Sequence, residues 1–198
     1  HVMSPPIRAP EHKAALLDAL ANRILDLVCT DHCVFNEDQK MMGRDDFRKI
    51  PNGLHGVEHR IPVLFDLAVS QTGKLTVNDF VRVTSTTAAR IFNIYPRKGA
   101  IMEGSDADIC ILDPKMKWTI SKENSYQNVD YNAFEGKEVT GAVMYTISRG
   151  KLVWDRKKGE LMAERGAGRF VHTEPFSPFF PEISTKEERN VPIKVERD

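Results

Sequence analysis

Apolar residues recur at steps of three and four from Ala9 to Arg23, with Ala15, Leu16, Leu20 and Ile24 on one stripe. This spacing predicts a helix entered through Pro10 and Glu11. The period then changes. Ile24-Leu25-Asp26-Leu27-Val28-Cys29-Thr30 is short, apolar and partly β-branched, the pattern of a strand buried on both faces, and it stops abruptly at Asp31-His32. From Phe35 to Gly56 polar and turn residues take over, among them Met42-Gly43-Arg44-Asp45-Asp46 and Pro51-Asn52-Gly53, which predicts a long surface loop. A second helix is expected from Val57 to Ser70, closed by Gly73, with Val57, Ile61, Leu64, Phe65 and Ala68 on its buried face. Two more fit Val77 to Thr84, with Thr76 as N-cap, and Thr86 to Asn93.

After Pro96 glycines punctuate short stretches rich in valine, isoleucine and tyrosine, which are strand signals. Ala107 to Leu112 is one candidate strand. Ala142 to Ser148 and Lys151 to Asp155, joined at Arg149-Gly150, predict a hairpin. The segment Phe170 to Asp198 sets Pro175, Pro178, Pro181 and Pro192 among Phe176, Phe179 and Phe180, as an extended arm seeking a partner surface would.

Composition and charge narrow the function classes. The 198 residues carry 28 basic and 28 acidic side chains, so there is no electrostatic footprint for nucleic acid or an anionic membrane. The longest apolar runs fall short of the ~20 residues that span a bilayer, and the N-terminus shows no signal-peptide pattern. Three cysteines, Cys29, Cys33 and Cys110, are too few for a disulfide framework, so a reduced, cytoplasmic protein is expected, with Cys29 buried in its strand.

A carboxylate at a strand tip followed by a long polar loop is how parallel α/β barrels arm their catalytic face, because the strand is rigid and its C-terminal end opens onto the active side. Asp31 holds that position. An aspartate merely starting a turn is the bland alternative. The wider order of residues favours the functional reading. Ser4-Pro5-Pro6-Ile7-Arg8, Cys29-Thr30-Asp31-His32-Cys33-Val34-Phe35-Asn36, Gly43-Arg44-Asp45-Asp46-Phe47 and Ile50-Pro51-Asn52-Gly53 through Gly56-Val57-Glu58 resemble the cyclic amidohydrolases, specifically dihydropyrimidinase and hydantoinase. Thr84-Ser85-Thr86-Thr87-Ala88-Ala89, Phe92 to Gly99 and Gly104 to Asp108 are similar to the same family.

The resemblance implies an α/β fold: the C-terminal portion of a metal-dependent hydrolase TIM barrel in residues 1–95, strands of a small β-sandwich domain in 96–165, and an extended arm in 166–198. It implies two divalent metal ions, most often zinc, bridged by a carboxylated lysine that lies outside this chain. Asp31 corresponds to the last metal ligand and carries the catalytic proton, while Ser4 and Asn52 bind the ring imide of a small-molecule substrate, largely through backbone groups. It also implies a homotetramer assembled through the C-terminal region.

What is missing bears equally on function. No His-x-His occurs among the six histidines, and no lysine or histidine here matches the family's other ligands. A complete barrel of this type needs about 250 residues, and one ligand does not hold a binuclear site, so activity is expected only with the rest of the subunit. Two other readings compete. One is a non-catalytic scaffold similar to the collapsin response mediator proteins, which lose the metal-binding aspartate and alter the Pro-Asn-Gly turn; both are intact here. The other is a fragment serving only in assembly.

Three further patterns carry less. His55-Gly56-Val57-Glu58-His59 has the form of a metalloprotease motif, but Gly56 and the preceding turn place His55 in a loop. Cys29 and Cys33 lack a second pair to complete a zinc knuckle. Arg156-Lys157-Lys158 reads as a solvated turn, and Trp118 and Trp154 as packing residues.

Overall fold

Pro10 sits in the first turn of helix α1 (Pro10–Ala21), where its missing N–H is no loss, in a computed structural model that describes residues 1–175 and Pro178. The buried stripe of α1 is Leu17 and Leu20; Leu16 and Ile24, expected on it, face solvent. Ile24 to Thr30 is not a strand. Its first N–H groups, those of Ile24 and Leu25, fold back onto the Ala19 carbonyl of α1, and beyond them a single backbone bond, from the Val28 N–H to the Val83 carbonyl, ties it to another element. A parallel barrel strand takes its ladder from two neighbours, and the described residues offer none to this segment, so its apolar side chains stay partly or fully exposed.

The loop expected from Phe35 to Gly56 contains two short helical pieces, α2 (Glu37–Met41) and a 3₁₀ turn at Phe47–Lys49. Helix α3 (Arg60–Leu64) continues as a π-helical stretch, Phe65–Gln71, and closes at Gly73 in the left-handed region. Val57 lies ahead of the helix and is exposed, whereas Leu64, Phe65 and Ala68 are buried as predicted.

Two separate helices were expected between Val77 and Asn93. Instead α4 (Val77–Val81), the π-helical Arg82–Thr86 and α5 (Thr87–Ile91) run on without a break, because the wider turn absorbs the β-branched residues of Val83-Thr84-Ser85-Thr86 without ending the helix. Thr76 caps it: its Oγ accepts from the Asp79 N–H at 3.1 Å, and the Asp79 carboxylate accepts from Thr76 Oγ at 2.7 Å.

Strands β1 (Ile109–Thr119), β2 (Glu138–Ser148), β3 (Lys151–Asp155) and β4 (Glu160–Leu161) form one antiparallel sheet in sequence order. β1 runs seven residues beyond the predicted Leu112, since Pro114 falls in an irregularity between Asp113 and Lys117 where no ladder bond is asked of it. The predicted hairpin is present, and Arg149 and Gly150 both take positive φ, +48° and +78°, as a tight turn between twisted strands requires. Arg156 is not merely solvated. Its guanidinium lies over the Trp118 ring, 4.3 Å from the centroid, and burial pushes its pKa down.

The core gathers Leu17, Leu20, Leu64, Phe65, Ala68, Leu75, Phe80 and Val83, with Leu112 of β1 packed against it. Helix and sheet meet at Phe65, whose ring stands edge-on to Phe80 at 5.3 Å and approaches Gly141 of β2 so closely that a Cβ there would lie 2.4 Å from it. Beside it the buried Asp66 bridges the two layers, accepting from the Thr140 N–H at 2.9 Å and from Gln71 Nε2 at 2.6 Å. Neither a closed barrel nor a second sheet is formed by the described residues. No helix among them is long and apolar enough to cross a membrane. The predicted arm is described only as far as Pro175, plus Pro178; Phe176, Phe179 and Phe180 lie outside the described residues.

Candidate active site

Ser4 and Asn52 are 48 positions apart in sequence, and the structure brings them together, Ser4 Oγ lying 3.4 Å from Asn52 Oδ1. They line an open hollow of about 450 Å³ with Met3, Phe47, Arg48 and Ile50. The turn that carries Asn52 is held from two sides. The Gly53 N–H donates to the Val2 carbonyl at 3.0 Å, joining the turn to the N-terminal segment. Lys40, near the end of α2, sends its ammonium onto the carbonyls of Pro51 at 2.6 Å and Gly53 at 2.7 Å. Gly53 has φ +145° and abuts Cys33, so a Cβ at that position would lie 2.6 Å from the Cys33 carbonyl oxygen. Only glycine fits there.

Asp31 takes φ +44°, a left-handed conformation that aspartate tolerates better than most residues. It is exposed, its carboxylate makes no hydrogen bond or ion pair with another described residue, and it does not line the hollow of Ser4 and Asn52. The residues after it are laced to the same loop. His32 Nδ1 accepts from the N–H groups of Gly56 at 3.1 Å and Val57 at 3.3 Å, and the Cys33 N–H donates to the Leu54 carbonyl at 3.0 Å.

As to metals, Asp31 presents an unengaged oxygen donor, while His32 already spends Nδ1 on the backbone. No group of three or more His, Cys, Asp or Glu among the described residues could hold an ion. The chain's own donors fit one edge of a metal site and not a whole one. Cys29 is exposed, not buried as expected, because the segment that carries it is not a covered strand; Cys33 and Cys110 are exposed and free as well.

Neither Lys40 nor His32 is foreseen in these roles, since both act on main-chain groups elsewhere in the chain and main-chain partners leave no pattern. The interior place of His55 and His59 is not foreseen either. Their rings stand edge to face 5.6 Å apart, each also edge-on to Phe134 at 6.0 and 5.8 Å, and are 5% and 1% exposed. His55 Nε2 lies 2.7 Å from Asn132 Oδ1, and His59 Nδ1 is buried without a described partner. Glu58 turns the other way, to Ser125 Oγ at 2.6 Å and the Tyr126 N–H at 3.0 Å, so the protease-like motif is dismantled.

Burial is the leading cause that lowers both imidazole pKa values, and it keeps the pair neutral. The unfolded chain binds protons at about pH 6.5, before these buried rings do. The stability contributed by the neutral pair is therefore complete above that pH and is lost as the pH falls toward the lowered native values. The melting temperature of the subunit is expected to drop between pH 7 and pH 5, and to drop less steeply in His59→Leu. Identical slopes would show that the pair does not sense acid.

The profile of the amidohydrolase family matches residues 5–153. A dihydropyrimidinase from Dictyostelium discoideum is 52% identical over 187 residues, 94% of this chain and 37% of that protein. One from Arabidopsis thaliana is 49% identical over 183 residues, 92% and 34% respectively. The crystal structure of dihydropyrimidinase from Brevibacillus agri superposes with a TM-score of 0.84 at 46% identity, over 88% of this chain and 38% of that one. The chain thus spans little more than a third of the relatives it matches.

Proposed function

Because this chain belongs to the amidohydrolase family, we propose that the subunit containing it opens the ring amide of 5,6-dihydropyrimidines or hydantoins, giving N-carbamoyl amino acids. The observation that carries this reading is the convergence of Ser4 and Asn52 on one hollow, on a loop that Cys33 and His32 tie to the segment bearing Asp31. A flat cyclic imide offers alternating donors and acceptors, which main-chain groups can read without a charged side chain.

Family membership suggests dependence on divalent metal. Two ions, zinc by the resemblance, with a carboxylated lysine from outside this chain, would supply a water ionised near neutral pH. Asp31 would ligate through its carboxylate, which no described residue engages, and would accept the proton of the attacking water. As the new C–O bond forms and the ring C–N bond breaks, it hands that proton to the departing nitrogen. Ser4 and Asn52 hold the imide in register.

Residues 1–95 contribute the last barrel strand and its helices, with the unpaired Ile24 to Thr30 taking its ladder from strands elsewhere in the subunit. Residues 96–165 contribute to the small β-domain, and the arm 166–198 docks on a neighbouring copy in a homotetramer. Three exposed free thiols suit a reducing cytoplasm.

The test is direct. Purified full-length subunit incubated with dihydrouracil or hydantoin is expected to give the corresponding ureido acid, detected by mass spectrometry, with the activity lost on chelation and restored by a divalent ion. A metal-replete subunit that releases no ureido acid from either ring would reject the proposed function.

A further inference from the structure

Lys40 has no carboxylate partner among the described residues. Its ammonium instead reaches three main-chain oxygens, those of Pro51 at 2.6 Å, Gly53 at 2.7 Å and Val2 at 3.4 Å, with the Phe35 ring 5.0 Å below it. All three carbonyls belong to the two segments that carry Ser4 and Asn52. The helix that positions this lysine is itself fixed. Gln39 Oε1 accepts from the Asn36 N–H at 2.8 Å, and the Asp130 carboxylate accepts from the Glu37 N–H at 2.8 Å.

The Pro51 carbonyl and the Asn52 N–H are two ends of one peptide group, and in a trans peptide they point in opposite directions. A cation on the oxygen draws electron density through the amide and makes the N–H a stronger donor. Within the Pro51-Asn52-Gly53 turn, Pro51 has no N–H and that of Gly53 is spent on Val2, whereas the Asn52 N–H donates to no described group. The turn therefore presents one unused donor beside the hollow, and that donor sits on the peptide that Lys40 grips.

We propose that Lys40 is a positioning residue of the ring-imide site: it holds the turn and the N-terminal segment in one geometry and sharpens the Asn52 N–H for a carbonyl oxygen of the substrate. This rests on the cyclic-imide reading above. Lys40 touches neither substrate nor reacting atoms. Its charge acts through the Pro51 carbonyl, so a neutral side chain of equal length loses the effect while an arginine retains much of it.

Two readouts on the full-length, metal-loaded subunit test this. Lys40→Met is expected to raise KM for dihydrouracil about tenfold or more, with a much smaller change in kcat, and Lys40→Arg to recover most of it. Metal content should not change. Without substrate, hydrogen exchange at the Gly53 amide is expected to quicken about tenfold in Lys40→Met and to stay near wild type in Lys40→Arg. An unchanged KM and unchanged exchange in Lys40→Met would overturn the proposal. So would a raised KM that Lys40→Arg leaves uncorrected and that tracks lost metal, because the lysine would then serve stability alone. A wild-type subunit that turns over no ring imide defeats the proposed function instead, and the exchange measurement then decides the clamp by itself.

Discussion

In the full-length subunit, Asp31→Asn is expected to lower the turnover of dihydrouracil by roughly four orders of magnitude, because in the proposed function one substitution would remove both a metal ligand and the group that carries the proton. Asparagine is the informative replacement. Asp31 holds φ +44°, a conformation asparagine also tolerates, so the backbone is undisturbed and only the charge is lost. Alanine at the same place adds a backbone cost of about 1 kcal/mol, and Asp31→Ala should therefore show the same loss of rate with a small fall in melting temperature. The Asp31 carboxylate makes no hydrogen bond or ion pair with another described residue, so no such bond is lost in either variant. Steady-state kinetics and thermal melts on the two variants separate these contributions. Turnover within tenfold of wild type in Asp31→Asn would remove the assigned role.

The largest stability effect is expected at Asp66. Its carboxylate is 2% exposed and joins the π-helical stretch to β2, accepting from the Thr140 N–H and from Gln71 Nε2. Asp66→Ala leaves a strand N–H buried without a partner and opens a gap beside Phe65, which together cost about 3 kcal/mol. Asp66→Asn keeps an acceptor for the Thr140 N–H but sets an NH2 donor where Gln71 Nε2 found an oxygen, so Gln71 must turn its own amide oxygen to it, at a cost of about 1 kcal/mol. Urea unfolding followed by circular dichroism reads both. Equal midpoints for Asp66→Ala and wild type would mean that the helix and the sheet hold together without this bridge.

What could be read in the sequence follows from where each residue's partners lie. Helices declare themselves through local spacing, so α1, α3 and the Thr76 cap were predictable from residues within a few positions. The hairpin was equally legible, because Arg149-Gly150 lies between two alternating stretches. Ile24 to Thr30 misled for the opposite reason: its composition describes a strand in company, and the neighbours that would pair with it are not among the described residues. The same cause explains Cys29, expected inside and found exposed. β1 runs past the expected Leu112 and through Pro114, since a ladder irregularity that accommodates proline has no local signature. Of the site, Asp31 stood out by its place between an apolar run and a long polar loop, whereas Ser4 and Asn52 could be named only because their flanking motifs resemble a family; spacing alone would not have paired Ser4 with Asn52. Lys40 and His32 stayed hidden because they grip main-chain atoms, and any sequence provides those.

In the proposed function this chain completes a divalent metal centre that the rest of the subunit mostly builds. Metal analysis by inductively coupled plasma mass spectrometry, on full-length subunit, on its Asp31→Asn variant and on the 198-residue chain alone, reads this without any assay of turnover. Two tightly held divalent ions are expected per full-length subunit, fewer in the variant and none in the isolated chain. Full occupancy in Asp31→Asn, or stoichiometric metal in the isolated chain, would contradict that expectation.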